Sequence, residues 1–146
     1  MKKTISIALI LVLVLGCLTA CNFTQNLSGA LAGEAEATPK VEEMMKALSA
    51  NGIAEAKALL HSEASNVSDD AITQMSDYLD GREVSNMELI NININTTTGT
   101  SGKARQERVG YRATLSDGAV VYLNAIYLDN DKDCGFISFQ LVLGIV

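Results

Sequence analysis

The spacing of apolar residues changes twice along the chain. Met1-Lys2-Lys3 leads into an apolar run from Ile5 to Gly16, broken only by Ser6. Asn22 to Thr38 is small, polar and acidic, with no regular spacing. A helical period begins at Thr38-Pro39, read as an N-cap followed by proline at the first helical position. Val41, Met44, Met45 and Leu48 then recur at helical spacing until Asn51-Gly52 ends the helix. Ile53, Ala56, Leu59 and Leu60 predict a second, short helix. Ser68-Asp69-Asp70 caps a third, which carries Ile72, Met75 and Leu79 and stops at Asp80-Gly81.

The period then drops to two. Glu88 to Asn95 places Ile90, Ile92 and Ile94 on one face and Asn91, Asn93 and Asn95 on the other, the pattern of a half-buried antiparallel strand. A polar loop, TTTGTSGKA, is expected next. A second strand follows with Val109, Tyr111, Ala113 and Leu115. Asp117-Gly118 predicts a two-residue hairpin into a third strand, Val120 to Leu128. The fourth runs from Phe136 to Leu143, after a DNDKD turn that sets Asp129 opposite Cys134.

Those turns fix a register, and the register sorts side chains by face. The helix-facing side is expected to hold Val109, Tyr111, Ala113, Leu115, Val120, Tyr122, Asn124, Ile126, Ile137, Phe139, Leu141 and Leu143. The outer side is expected to carry an apolar patch of Val121, Leu123, Tyr127, Phe136 and Val142, beside Arg112. On this reading the outer patch is a covered interface. Asn124 is a polar anchor in a small cavity walled by Tyr111, Tyr122 and Phe139, or else an amide bonded to the Tyr111 hydroxyl.

Composition changes the picture mainly by location. A short basic start, an apolar run below bilayer-spanning length and small residues before a cysteine form a secretory signal at residues 1–20. Leu18-Thr19-Ala20-Cys21 resembles a bacterial lipobox, which makes Cys21 the lipid acceptor. Cys17 is a rival that fits less well, because Leu15 is large for its place in the box. The domain map is a signal at 1–20, a tether at 21–38 and one domain at 39–146, with helices at 39–80 and sheet at 83–145. The expected location is the extracytoplasmic face of a bacterial cell membrane, with the bilayer held through acylated Cys21.

The chain has 11 basic and 17 acidic residues, and the signal removes two of the basic ones. Such an acidic domain argues against nucleic acid and against polybasic attachment to anionic lipid. Only Cys134 remains beside the acceptor, so no disulfide framework is expected.

Other constellations read as structural. Asp129, Asp131 and Asp133 alternate like the start of a calcium loop, but the sixth and twelfth positions are Cys134 and Gln140 instead of Gly and Glu. His61, the single histidine, is expected as a surface cap at a helix end. Every strand acid, Glu107 included, is placed at an end or turn, leaving no inward acid/base pair. Cys134 is expected to be semi-buried and unreactive. No catalytic residue, metal or cofactor is assigned.

Helices followed by a long antiparallel meander over 39–146 resemble the nuclear-transport-factor-2-like (cystatin-like) cone fold. ALSANGIAEAKALLHSEA, a helix ending YLDG and a four-strand tail also resemble small Gram-positive bacterial lipoproteins of unknown function. The resemblance implies an α+β fold with helices packed on a curved four-stranded sheet. It also implies a pocket between helices and sheet in many members, and dimers through the outer sheet face in many. The expected function is a non-enzymatic interaction or self-association module, as a homodimer or with an unknown protein partner. The alternatives are a small-ligand-binding lipoprotein and an isomerase- or hydrolase-like enzyme.

Overall fold

The computed structural model describes residues 35–100 and 102–143. The expected signal, Cys17, the acceptor Cys21, the tether up to residue 34 and the end of the domain at 144–146 lie outside these residues.

Three helices precede the sheet: α1 (Ala37–Ser49), α2 (Ile53–Ala58) and α3 (Asp69–Leu79). In α1, Ala37, Val41, Met44, Met45 and Leu48 are buried, the single stripe that helical spacing produces. Its end is a Schellman turn. Asn51 takes φ 56°, its N–H donates to Leu48 O, and the Gly52 N–H donates to Ala47 O. Ser68 caps α3 by accepting from the Ala71 N–H at 3.1 Å, and Asp80 (φ 46°) closes it.

The start of α1 differs from expectation. Thr38 is not its cap but a buried residue of the first turn, and its hydroxyl accepts from the Tyr111 hydroxyl at 2.9 Å. Pro39 still falls in the first turn, where a missing N–H leaves no bond unmade. The capping group comes from the sheet, as described below.

Four strands, β1 (Val84–Gly99), β2 (Gly102–Leu115), β3 (Val120–Asn130) and β4 (Cys134–Leu143), pair in sequence order as an antiparallel meander. The expected TTTGTSGKA loop is mostly strand: Thr96 pairs with Arg105, Thr98 with Lys103, and Gly99 with Gly102. A bulge inserts Ile90 between Leu89 and Asn91. Leu89, Ile92 and Ile94 therefore share the helix-facing side, while Ile90 is 53% exposed.

The β2–β3 turn decides the largest correction. Ser116, Asp117 and Gly118 form a three-residue connection, with Leu115 opposite Ala119. The Leu115 N–H donates to Ala119 O and the Gly118 N–H to Leu115 O. Gly118 sits at φ 86°, where a side chain would be strained. Asp117 accepts from the Ala119 N–H and from Arg82, which holds its carboxyl below the usual range. One residue more in the turn moves every β3 side chain to the other face. Tyr111 pairs with Leu123 and Ala113 with Val121, so Val121, Leu123, Ala125 and Tyr127 meet the helices.

A second bulge at Ile137 keeps β4 in step, bringing Phe136 opposite Tyr127 and Phe139 opposite Ala125. Phe136 stands edge-on to both Tyr127 and Phe139, with ring centroids 5.3 Å apart in each pair. The start of β4 also gains a parallel neighbour. The His61 N–H donates to Phe136 O and the Phe136 N–H to Leu59 O. Gly135 permits this approach, since a Cβ there would lie 2.5 Å from the His61 nitrogen.

Candidate functional site

The residues expected to line a pocket do not share a face. Tyr111 (1% exposed) and Phe139 (3%) are buried among the helices, whereas Tyr122 (39%) and Asn124 point outward. Asn124 therefore has no Tyr111 hydroxyl to bond, and that hydroxyl is held by Thr38. The space between helices and sheet is filled by Val41, Met44, Leu48, Tyr111, Leu123 and Phe136, each 1% exposed or less.

The expected interface is inverted in the same way. Val121, Leu123, Tyr127 and Phe136 belong to the core, at 4% exposure or less. Only Val142 and Arg112 of that set lie on the outer face.

Two polar groups that the sequence placed at ends or on the surface lie inside. Glu107, fully buried, shares the inward parity of Val109, Tyr111, Ala113 and Leu115. Its carboxylate accepts from the Glu36 N–H at 3.2 Å, from the Ala37 N–H at 2.8 Å and from Arg105 Nε at 2.7 Å. A strand acid thus caps a helix lying some 70 residues away in sequence, and satisfies N–H groups that have no partner within the helix.

His61 is 2% exposed. Its Nδ1 accepts from the Glu63 N–H at 3.0 Å, which leaves the ring proton on Nε2, facing Asn130 Oδ1 at 3.4 Å. Both buried groups are engaged by partners that fix the backbone. Among the described residues, neither lines the cleft between α1 and β1 or the one between α3 and β4.

The DNDKD turn is tied down rather than free. Asn130 Oδ1 accepts from the Lys132 and Asp133 N–H groups. Asp133 accepts from the Ser62 and Cys134 N–H groups, and these bonds hold its carboxyl below the usual range. Among the described residues no cluster of His, Cys, Asp or Glu could hold a metal ion. Cys134 is exposed, not semi-buried. Burial pushes the Tyr127 hydroxyl well above the usual tyrosine range, and the neighbouring Cys134 thiol adds to this.

The outer sheet face that results has an unusual chemistry. Register places Glu88, Arg112, Tyr122 and Val142 in one cross-strand row. The next holds Asn91, Gly110, Asn124 and Gln140, and the one after it Asn93, Arg108, Ile126 and Ser138. Asn91 leans over Gly110, where a Cβ would lie 2.8 Å from its amide nitrogen. Asn91, Asn93, Asn95, Gln106, Asn124 and Gln140 present six side-chain amides, none engaged in a hydrogen bond among the described residues. The face carries few charges, and its closest ion pair is Glu88 with Arg112 at 3.9 Å. Its exposed apolar residues include Tyr122 and Val142 (46%), flanked by half-buried Val120, Ile126 and Leu128, with Ile90 of the β1 bulge exposed as well.

A separate cleft of about 360 Å³ opens between α1 and the start of β1. Met45 and Met87 form its floor, with Val84 beside them; Glu42, Lys46 and Glu83 stand at its rim. A shallower cleft between α3 and β4 is lined by Met75, Tyr78, Leu141 and Val142 among others.

No protein family and no curated protein matches the chain. Among solved structures it is similar to a nuclear-transport-factor-2-like protein of unknown function from Burkholderia pseudomallei K96243. Identity is 11%, the match covers 75% of this chain and 92% of that one, and the TM-score is 0.31.

Proposed function

We propose that the chain is a non-enzymatic binding module, anchored through lipidated Cys21 at the extracytoplasmic face of a bacterial membrane, that engages a protein partner or a second copy through its outer sheet face. The single observation that carries the reading is the uncovered face itself. Tyr122, Val142 and six uncommitted amides lie together on one side of the sheet, while the other side is closed against the helices. Ordinary solvated sheet faces lean on charged residues; this one offers planar donors and acceptors around an aromatic ring, a composition suited to contact. Among the described residues the space between helices and sheet is occupied by apolar side chains, so the outer face is the broad surface left open to contact.

The test is photo-crosslinking of the full chain in its native membrane. Benzoylphenylalanine replaces Asn124 on the outer face in one variant and Gln74 on α3 in another. Position 124 is expected to give a discrete adduct whose mass distinguishes self from partner, and position 74 none. No adduct at 124, or equal capture from both positions, would overturn the reading.

A further inference from the structure

We infer that the cleft between α1 and β1 is a binding site for a small ligand with an apolar body and a cationic head, a primary ammonium or guanidinium group. The observation is independent of the sheet face, which lies on the opposite side of β1 and β2.

Three features converge there. The volume, about 360 Å³, is in the range of small-molecule sites and holds about a dozen non-hydrogen atoms. The floor is formed by Met45 and Met87, 2% and 8% exposed. Unbranched thioether side chains can shift to seat an alkyl or aryl group without breaking a rigid packing arrangement.

The rim is net negative, with the carboxylates of Glu42 and Glu83 against the single ammonium of Lys46. Glu42 and Glu83 both face the cleft, and neither side chain has an ion pair or hydrogen bond among the described residues. Ser49 and Ala50 bring the C-terminal end of α1 to the same wall, and the carbonyl end of a helix favours a cation. Lys46 is the one cation at the rim, and it stands one turn along α1 from Glu42 without pairing with it. Burial alone raises the Glu42 carboxyl above its usual range, which marks a charge that lacks a partner. An entering ammonium group supplies that partner while its apolar body covers the methionine floor.

The probe is hexylammonium, added to the full chain in neutral detergent with ¹³C-methyl methionine labels. Hexanoate, with the same chain and the opposite charge, is the control. Met45 and Met87 report on this cleft and Met75 on the α3–β4 cleft, so the methyl resonances locate binding. Hexylammonium is expected to shift Met45 and Met87 saturably and leave Met75 unmoved. Hexanoate should bind at least threefold more weakly. Glu42→Gln should weaken hexylammonium at least threefold, and Lys46→Gln should tighten it. Equal binding of hexanoate, shifts centred on Met75, no saturable shift, or indifference to Glu42→Gln would each overturn the inference.

Discussion

Glu107→Ala is expected to lower the unfolding free energy by about 3 kcal/mol, among the largest single effects available in this chain. The buried carboxylate accepts from two backbone N–H groups at the start of α1 and from Arg105. Hydrogen bonds to a charged group contribute about 1.5–3 kcal/mol each, and a buried donor left without an acceptor costs about 1–3 kcal/mol. Glu107→Gln keeps the shape and one acceptor oxygen and should cost about half as much. Urea unfolding followed by circular dichroism measures both. Amide exchange at Ala37 should speed up in the alanine variant before exchange in the β2–β3 ladder does. A loss below about 0.5 kcal/mol for Glu107→Ala would mean that α1 is docked by its apolar stripe alone.

Leu123→Ala is expected to cost a similar amount, about 3 kcal/mol, whereas Asn124→Ala next to it should stay within about 0.5 kcal/mol. Leu123 is fully buried and pairs with Tyr111, while Asn124 is exposed on the other side of the same strand. Removing the leucine leaves a cavity in the core between sheet and helices; removing the amide leaves only a gap on the surface. The two-residue hairpin reading exchanges these outcomes, so one pair of urea melts decides the register of β3. A neutral Leu123→Ala with a costly Asn124→Ala would restore the shorter turn.

That pair of residues also shows what was legible in the sequence. Helices and strands could be read because their signals are local. Ser68 before Asp69-Asp70, Asn51-Gly52 and Asp80-Gly81 act within four residues of themselves, and each ends or starts a helix as read. The inward face of β2 was equally legible, since Arg108 and Arg112 fix its parity against Val109, Tyr111 and Ala113. The face of β3 was not. Val120 to Leu128 is apolar at both parities, so the turn alone assigned the face, and Ser116 lengthens that turn by one residue. One available signal was Asn124 itself. An unpartnered buried amide costs more than an exposed one, which favours the register that turns it outward.

Glu107 was legible in principle, because it continues the inward parity of Val109 and Tyr111. It was missed because β2 begins at Gly102, earlier than the polar loop suggested, so an acid taken for a strand end lies inside the strand. Its role as the cap of α1, and the burial of His61 beside β4, arise from contacts between residues about 70 or more positions apart. No local pattern carries such pairings. The candidate surfaces followed the register: once β3 turned over, the expected apolar interface became core and the expected pocket anchor became surface.

Tyr122 and Tyr127 allow the central claim to be measured on unaltered protein. They are chemically identical, five residues apart on β3, and lie on opposite faces at 39% and 4% exposure. Hydroxyl-radical footprinting of the full chain, purified and again in its native membrane, reads both at once. The account predicts that Tyr122 is oxidised readily in the purified chain diluted until it is monomeric and protected in the membrane, with Tyr127 protected in both. Faster oxidation of Tyr127 than of Tyr122 would contradict the register, and equal oxidation of Tyr122 in both settings would contradict an occupied outer face.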